Sequence, residues 1–383
     1  MFSSIFFIVS EIYYLEKFEK GWEKRWVKSS RVSEGKLLGR FRISPGQNYV
    51  DRRAQRGLQT LDDGRQYLIS SKFRKCFNTS GKDFIFQFSL KMENKVNVAQ
   101  ASLKLMNSKI KQNQFSHKTP WDILFGPDFN DWDHHHLDFR VWRNKTQWVD
   151  MMPITAFEDH FTHVYTLIIF ANQTYQLRKD NFTDIEGHLE QAFNYCQPAL
   201  IPDPLESKPI DWEDDPEIDD PDEIPPSFLR NIPQYIPDPA AKKPEDWSDS
   251  INGIWQPPLI RNPEFYGFDW KPKRIKNPNY RGAWKPQLIP NPDYDPDPSF
   301  GKPEDLCYIG IDVEQDVAGS IWDNIIVTDS LAEAEKLMEE TFFTIRDKER
   351  IIAAQAKAKE NADSNNMFDM SSGQNDGRLP DQL

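Results

Sequence analysis

The chain has 383 residues, a formal net charge of −13 and a mean hydropathy of −0.71. That acidity argues against a nucleic-acid partner and for basic proteins or calcium. The length admits two or three average domains.

Residues 1–10, with an apolar run over residues 5–9, read as a short signal segment, too brief to span a bilayer. A globular part follows over residues 11–197. Within it, residues 84–88, 137–142 and 164–170 alternate aromatic or β-branched residues with polar ones, and this period of two predicts an antiparallel sandwich. Asn78, Asn144, Asn172 and Asn181 each open an Asn-x-Ser/Thr sequon, as expected of a secretory chain. His134-His135-His136, after Asp131 and Asp133, offers donors of the kind that hold zinc. Adjacent side chains on a strand point to opposite faces, so at most two histidines would converge, and a solvated loop is the expectation there.

Residues 198–303 hold 23 of the 28 prolines. Proline fixes φ and lacks an amide donor, which excludes a packed interior and leaves an extended arm folding back on itself. Two sentences repeat along it. Ile-Pro-Asp-Pro-x-x-x-Lys-Pro-x-Asp-Trp occurs from Ile201 and again from Ile236. Gly-x-Trp-x-Pro-x-x-Ile-x-Asn-Pro-x-Tyr/Phe occurs around Trp255 and Trp284, and around Trp270 with one more residue after the glycine. Stacking the repeats puts the turn near Trp247 and Trp255, where Glu245, Asp246 and Asp249 gather acidity.

Residues 304–330 read as two further strands completing the same sandwich. Residues 331–360 are rich in helix formers, with Leu337, Phe342, Ile345 and Ile352 at helical spacing. Residues 361–383 are polar and read as a disordered tail. Cys76, Cys196 and Cys307 form no Cys-x-x-Cys motif, so neither a zinc ribbon nor a thioredoxin-type centre is signalled. At least one thiol stays unpaired within the chain, and the spacing does not say which. No nucleophile motif, phosphate loop or metalloprotease helix occurs, and the globular strands lack the Glu-x-Asp-x-Glu triplet of sandwich glycoside hydrolases, so no enzyme is expected.

The two arm repeats, in this order, resemble the calreticulin/calnexin family. Further landmarks in family order are Glu23-Lys24-Arg25-Trp26, Gly57-Leu58-Gln59-Thr60, Phe125-Gly126-Pro127-Asp128, Phe161-Thr162-His163-Val164-Tyr165-Thr166-Leu167 and Gly319-Ser320-Ile321-Trp322-Asp323-Asn324. The resemblance implies an all-β, legume-lectin-like (concanavalin-type) jelly-roll sandwich with an inserted arm and a C-terminal helix. It implies a monomeric, calcium-binding, lectin-like chaperone of the endoplasmic reticulum lumen, neither transmembrane nor catalytic, that assists unfolded glycoproteins. The ending Pro380-Asp381-Gln382-Leu383 is similar to a lumenal retrieval tail.

The same resemblance implies sites. Monoglucosylated high-mannose glycan would meet Lys104, Asp128 and Asp312, which match the family, and Trp121, which stands for a tyrosine. Ser102 replaces a tyrosine and Glu314 a tryptophan, removing a stacking face and an apolar wall. Val98 and Asn130 occupy the positions of the family's disulfide, and Ala99-Gln100-Ala101 those of its glycine run. The alternative is therefore a non-lectin scaffold with a degenerate glycan pocket. A structural Ca²⁺ would be held by Asp323 and the backbone carbonyls of Lys17, Ala54 and Arg56. Only four aspartates follow residue 360, so the family's high-capacity calcium tail is not expected. Glu245, Asp246, Trp247 and Trp255 at the tip would dock protein-disulfide-isomerase relatives and a peptidyl-prolyl isomerase.

Overall fold

The computed structural model describes residues 10–372, apart from 32–34, 95–98, 130–134, 144–145, 150–153, 158, 225–231 and 266–270. Two units result: one comprises Met1–Gln197 with Tyr294–Leu383, the other Pro198–Asp293.

The first unit is a sandwich of two antiparallel sheets. One sheet runs Phe182–His188, Thr174–Lys179, Thr162–Ile169, Phe84–Met92, Ser320–Thr328, Gly57–Thr60, Phe41–Ser44, with Ile12–Glu16 also paired to Ser320–Thr328. The other runs Thr146–Val149, His135–Arg143, Ile123–Phe129, Ala99–Gln100, Leu306–Gln315, Arg65–Phe77, Trp26–Lys28, with Leu103–Asn107 bridging Ile123–Phe129 and Leu306–Gln315. Each sheet therefore takes an inner strand from beyond residue 304.

Alternation sorts the side chains. Phe84, Phe86, Phe88 and Leu90 point into the core shared with Phe125, Tyr165 and Trp322. Ile85 points the other way, onto Ile168, Ile326, Ala334 and Leu337, because the helix Leu331–Ser372 covers that face. Further along, Phe342 is buried in the same seam, and fully buried Glu349 pairs with Lys91 at 2.6 Å while accepting from the Thr162 amide at 3.1 Å. The helix continues through residues 361–372, where a disordered tail was the expectation. That stretch is polar but holds no glycine or proline until Gly373, so nothing local stops the helix.

A disulfide joins Cys76 to Cys307, linking Arg65–Phe77 to Leu306–Gln315, and Cys196 is free. The loop it closes spans 231 residues and includes the whole second unit.

Among the described residues, the second unit holds three two-stranded ladders: Leu200–Pro202 with Leu288–Pro290, Glu217–Asp219 with Arg274–Lys276, and Tyr235–Pro237 with Leu259–Arg261. The Asn-Pro pairs staple its limbs. Asn262, Asn277 and Asn291 each donate a side-chain amide to a carbonyl of the opposite limb, at 2.9, 3.0 and 2.8 Å. Each also accepts from the amide two residues on, which fixes a turn after the ladder.

Candidate functional site

Register brings the polar residues of the second sheet onto the face turned away from the core. Lys104 lies between Gly310 and Leu124, and Leu124 faces Arg140; Gln100 faces Asp128, which faces His136. Side chains two apart share a face, so Asp138 joins His136 and Arg140. Lys104 and Asp312 form an ion pair at 2.5 Å, each 8% exposed. Asp128, 2% exposed, meets Arg140 at 3.3 Å, and Arg140 also pairs with buried Asp138. Glu314 is half exposed and ion-paired with Lys36. Ser102 is buried, and Gly126 lies beside it: a Cβ there would stand 2.7 Å from the Ser102 Cα.

Trp121 belongs to an apolar patch with Leu68, Met106, Phe115 and Leu124, and meets Trp142 edge-on at 5.7 Å. Trp121 is itself buried in that cluster, so the aromatic surface open to a ligand there is Trp142, beside a charged network whose groups can exchange hydrogen bonds with hydroxyls. Lys104 and Asp312 already satisfy each other, and Arg140 holds Asp128 and Asp138. Val98 and Asn130 lie outside the described residues.

His135 and His136 begin the strand His135–Arg143 and are half-buried, which corrects the expectation of a solvated loop; His134 lies outside the described residues. Donor atoms of Asp128, His136 and Asp138 fall within 4.8 Å of one another, His136 meeting Asp138 at 2.9 Å. Arg140 bridges both carboxylates and so supplies the cation that this group requires. Sequence reasoning passed over Asp138 and Arg140, although alternation along residues 137–141 already put them on one face.

Asp323 lies where Ser320–Thr328 bulges, just before Asn324 at φ 50°. Its Oδ2 accepts from Asn324 at 3.1 Å, and Ser89 donates to its carbonyl at 2.9 Å. Its Oδ1 is buried without a hydrogen-bond partner. Burial pushes the carboxyl well above the usual range; Glu16 and Glu19 add to the shift, while Lys17 and the Asn324 amide oppose it. The carboxylate opens on a cavity of about 80 Å³ lined also by Ala54, Gln55, Thr341 and Thr344. The backbone at Gly57 approaches closely as well: a Cβ on Gly57 would stand 3.0 Å from that of Asp323. An orphan buried carboxylate oxygen on a cavity also lined by Ala54 is a donor of the kind that fits a hard cation.

At the turn of the arm, a short helix Asp249–Asn252 follows Trp247. The Trp247 indole donates to Gly253 O at 2.9 Å, and the Trp255 amide donates to Asp249 at 3.3 Å. Glu245, Asp246, Asp249, Ile251 and Ile254 are exposed, and Trp247 and Trp255 are half-buried.

The calreticulin family model matches residues 14–254, 222–297 and 249–327. Calreticulin of Onchocerca volvulus is 37% identical over 90% of this chain and 87% of its own length; calreticulin of Chlamydomonas reinhardtii is 38% identical over 90% and 82%. The fold matches that of the T. cruzi calreticulin globular domain at a TM-score of 0.62 and 24% identity, covering 92% of this chain and 100% of that one. With the repeats, the two-sheet sandwich and these matches together, the chain belongs to the calreticulin family.

Proposed function

We propose that this chain is a calcium-binding, lectin-type chaperone of the endoplasmic reticulum lumen that holds unfolded glycoproteins by binding, without catalysis. Family membership supports the chaperone role. The calcium reading is carried by one observation, the buried and unpartnered Asp323 Oδ1. With carbonyls of Lys17, Ala54 and Arg56 it makes an all-oxygen set of the kind Ca²⁺ prefers. The disulfide supports an oxidising compartment, as do the exposed sequon asparagines Asn78, Asn172 and Asn181; Asn144 lies outside the described residues. No helix among the described residues is long and apolar enough to cross a membrane. The acidic, aromatic tip is the docking point for basic isomerase co-chaperones, and the working form is a monomer.

The client glycan, monoglucosylated high-mannose, is read by Lys104, Trp121, Asp128 and Asp312. A second reading, a scaffold without lectin activity, is favoured by Ser102, by the Lys36–Glu314 pair and by the mutual satisfaction of Lys104 and Asp312. A glycan array decides between them. Binding of glucosylated high-mannose glycan, weakened at least tenfold in Asp312→Ala, supports the lectin. No glycan binding, with aggregation of a non-glycosylated client still suppressed, establishes the scaffold instead.

A further inference from the structure

The arm unit makes the contacts of its tip twice. At the tip, Lys243 pairs with Asp249 at 2.6 Å, the Trp247 indole donates to Gly253 O at 2.9 Å, and the Trp255 amide donates to Asp249 Oδ1 at 3.3 Å. In the first repeat, Lys208 pairs with Asp214, the Trp212 indole donates to Gly282 O at 2.8 Å, and the Trp284 amide donates to Asp214 Oδ1 at 2.9 Å. Gly253 and Gly282 both take positive φ, 79° and 89°, a conformation that favours glycine and turns the carbonyl to the indole. Asp246 before Trp247 corresponds to Asp211 before Trp212.

The two copies differ in charge at several positions, among them Ile210 against Glu245 and Glu213 against Ser248, and one of these differences lies at the ring itself. Arg281 precedes Gly282, whereas Asn252 precedes Gly253. The Arg281 guanidinium lies over the Trp212 ring, 5.8 Å from its centroid, and 4.0 Å from the Asp211 carboxylate. A ring face with a carboxylate at its edge suits a guanidinium, which is planar, permanently charged and weakly hydrated. At the tip the corresponding residue, Asn252, brings no cation to Trp247.

We propose that this constellation is a guanidinium receptor present in two copies. The copy at Trp212 is filled from within by Arg281; the copy at Trp247 receives an arginine of the docked partner, seated on the indole against Asp246. The inference rests on the tip-docking reading above and narrows it from a basic partner to an arginine-bearing one. It also makes Arg281 the plug of a second docking site.

The test uses the full chain with the basic domain of a protein-disulfide-isomerase relative and, separately, an arginine hexapeptide, titrated by calorimetry. Asn252→Arg supplies the tip with its own plug and is expected to weaken domain binding at least tenfold. Asn252→Gln, equally exposed but neutral, is expected to bind like the wild type. Arg281→Asn removes the plug and raises the stoichiometry from one domain per chain to two. Undiminished binding by Asn252→Arg, equal weakening by Asn252→Gln, or a stoichiometry of one in Arg281→Asn overturns the proposal. A wild type that binds only the hexapeptide, with loss in Asn252→Arg, overturns the isomerase docking and keeps the receptor; a wild type that binds neither overturns both.

Discussion

A buried carboxylate is stable only with a partner, and two residues of the sandwich answer that requirement in different ways. Asp323 leaves Oδ1 unsatisfied, which costs stability unless a cation arrives. Asp180 instead shares His163 with Asp159: the imidazole meets them at 2.7 and 2.6 Å and stacks on Phe157 at 3.8 Å. Burial alone would lower the His163 pKa, but its two carboxylates outweigh that and raise it. A raised histidine contributes stability in full below its unfolded value near 6.5, and loses it as pH rises through the folded value. His163→Gln should therefore cost on the order of 1–3 kcal/mol at pH 6, and the gap to the wild type should narrow above neutrality. Denaturant unfolding at pH 6 and pH 9 measures it; a gap independent of pH would show that the imidazolium plays no part.

Some of this chemistry could be read from residue order, and some could not. Lys104 and Asp312 were identifiable one at a time from the family landmarks. Their ion pair joins residues 208 apart in sequence and depends on register, which no local pattern specifies. The Cys76–Cys307 bond was likewise open among three cysteines until the strands carrying them were adjacent.

At the scale of elements, the C-terminal helix was visible from its spacing over residues 331–360, whereas its continuation to Ser372 and the face it covers were not. Lys91 and Glu349 explain how that face is secured. Both are almost completely buried, and removing one partner leaves the other charge stranded. Glu93, 3.3 Å from Lys91, would offset part of the loss. Glu349→Ala should cost about 3 kcal/mol, the low end for a broken buried pair, and should raise amide exchange over residues 331–350. Exchange unchanged in that variant would mean that Leu337, Met338 and Phe342 hold the helix unaided. The arm's ladders were legible for a different reason: proline and Asn-Pro spacing restrict the backbone directly, so the repeat carries its own geometry.

At the scale of the molecule, the central proposal is that an ion at Asp323 completes the sandwich. The fold was legible because alternation, repeats and landmarks all pointed the same way. The orphan oxygen was not, since sequence gives the residue type and never the absence of a neighbour. A ligand that binds only the folded state adds about 2.7 kcal/mol at one hundred times its dissociation constant. Thermal melting of the wild type and of Asp323→Asn, each in calcium and in chelator, puts this to the test. The wild type should lose about 5–10 °C in chelator. Asp323→Asn should respond little to calcium, and in chelator it should melt no lower than the wild type, because the buried charge is gone. Equal calcium responses in the two proteins would contradict the account.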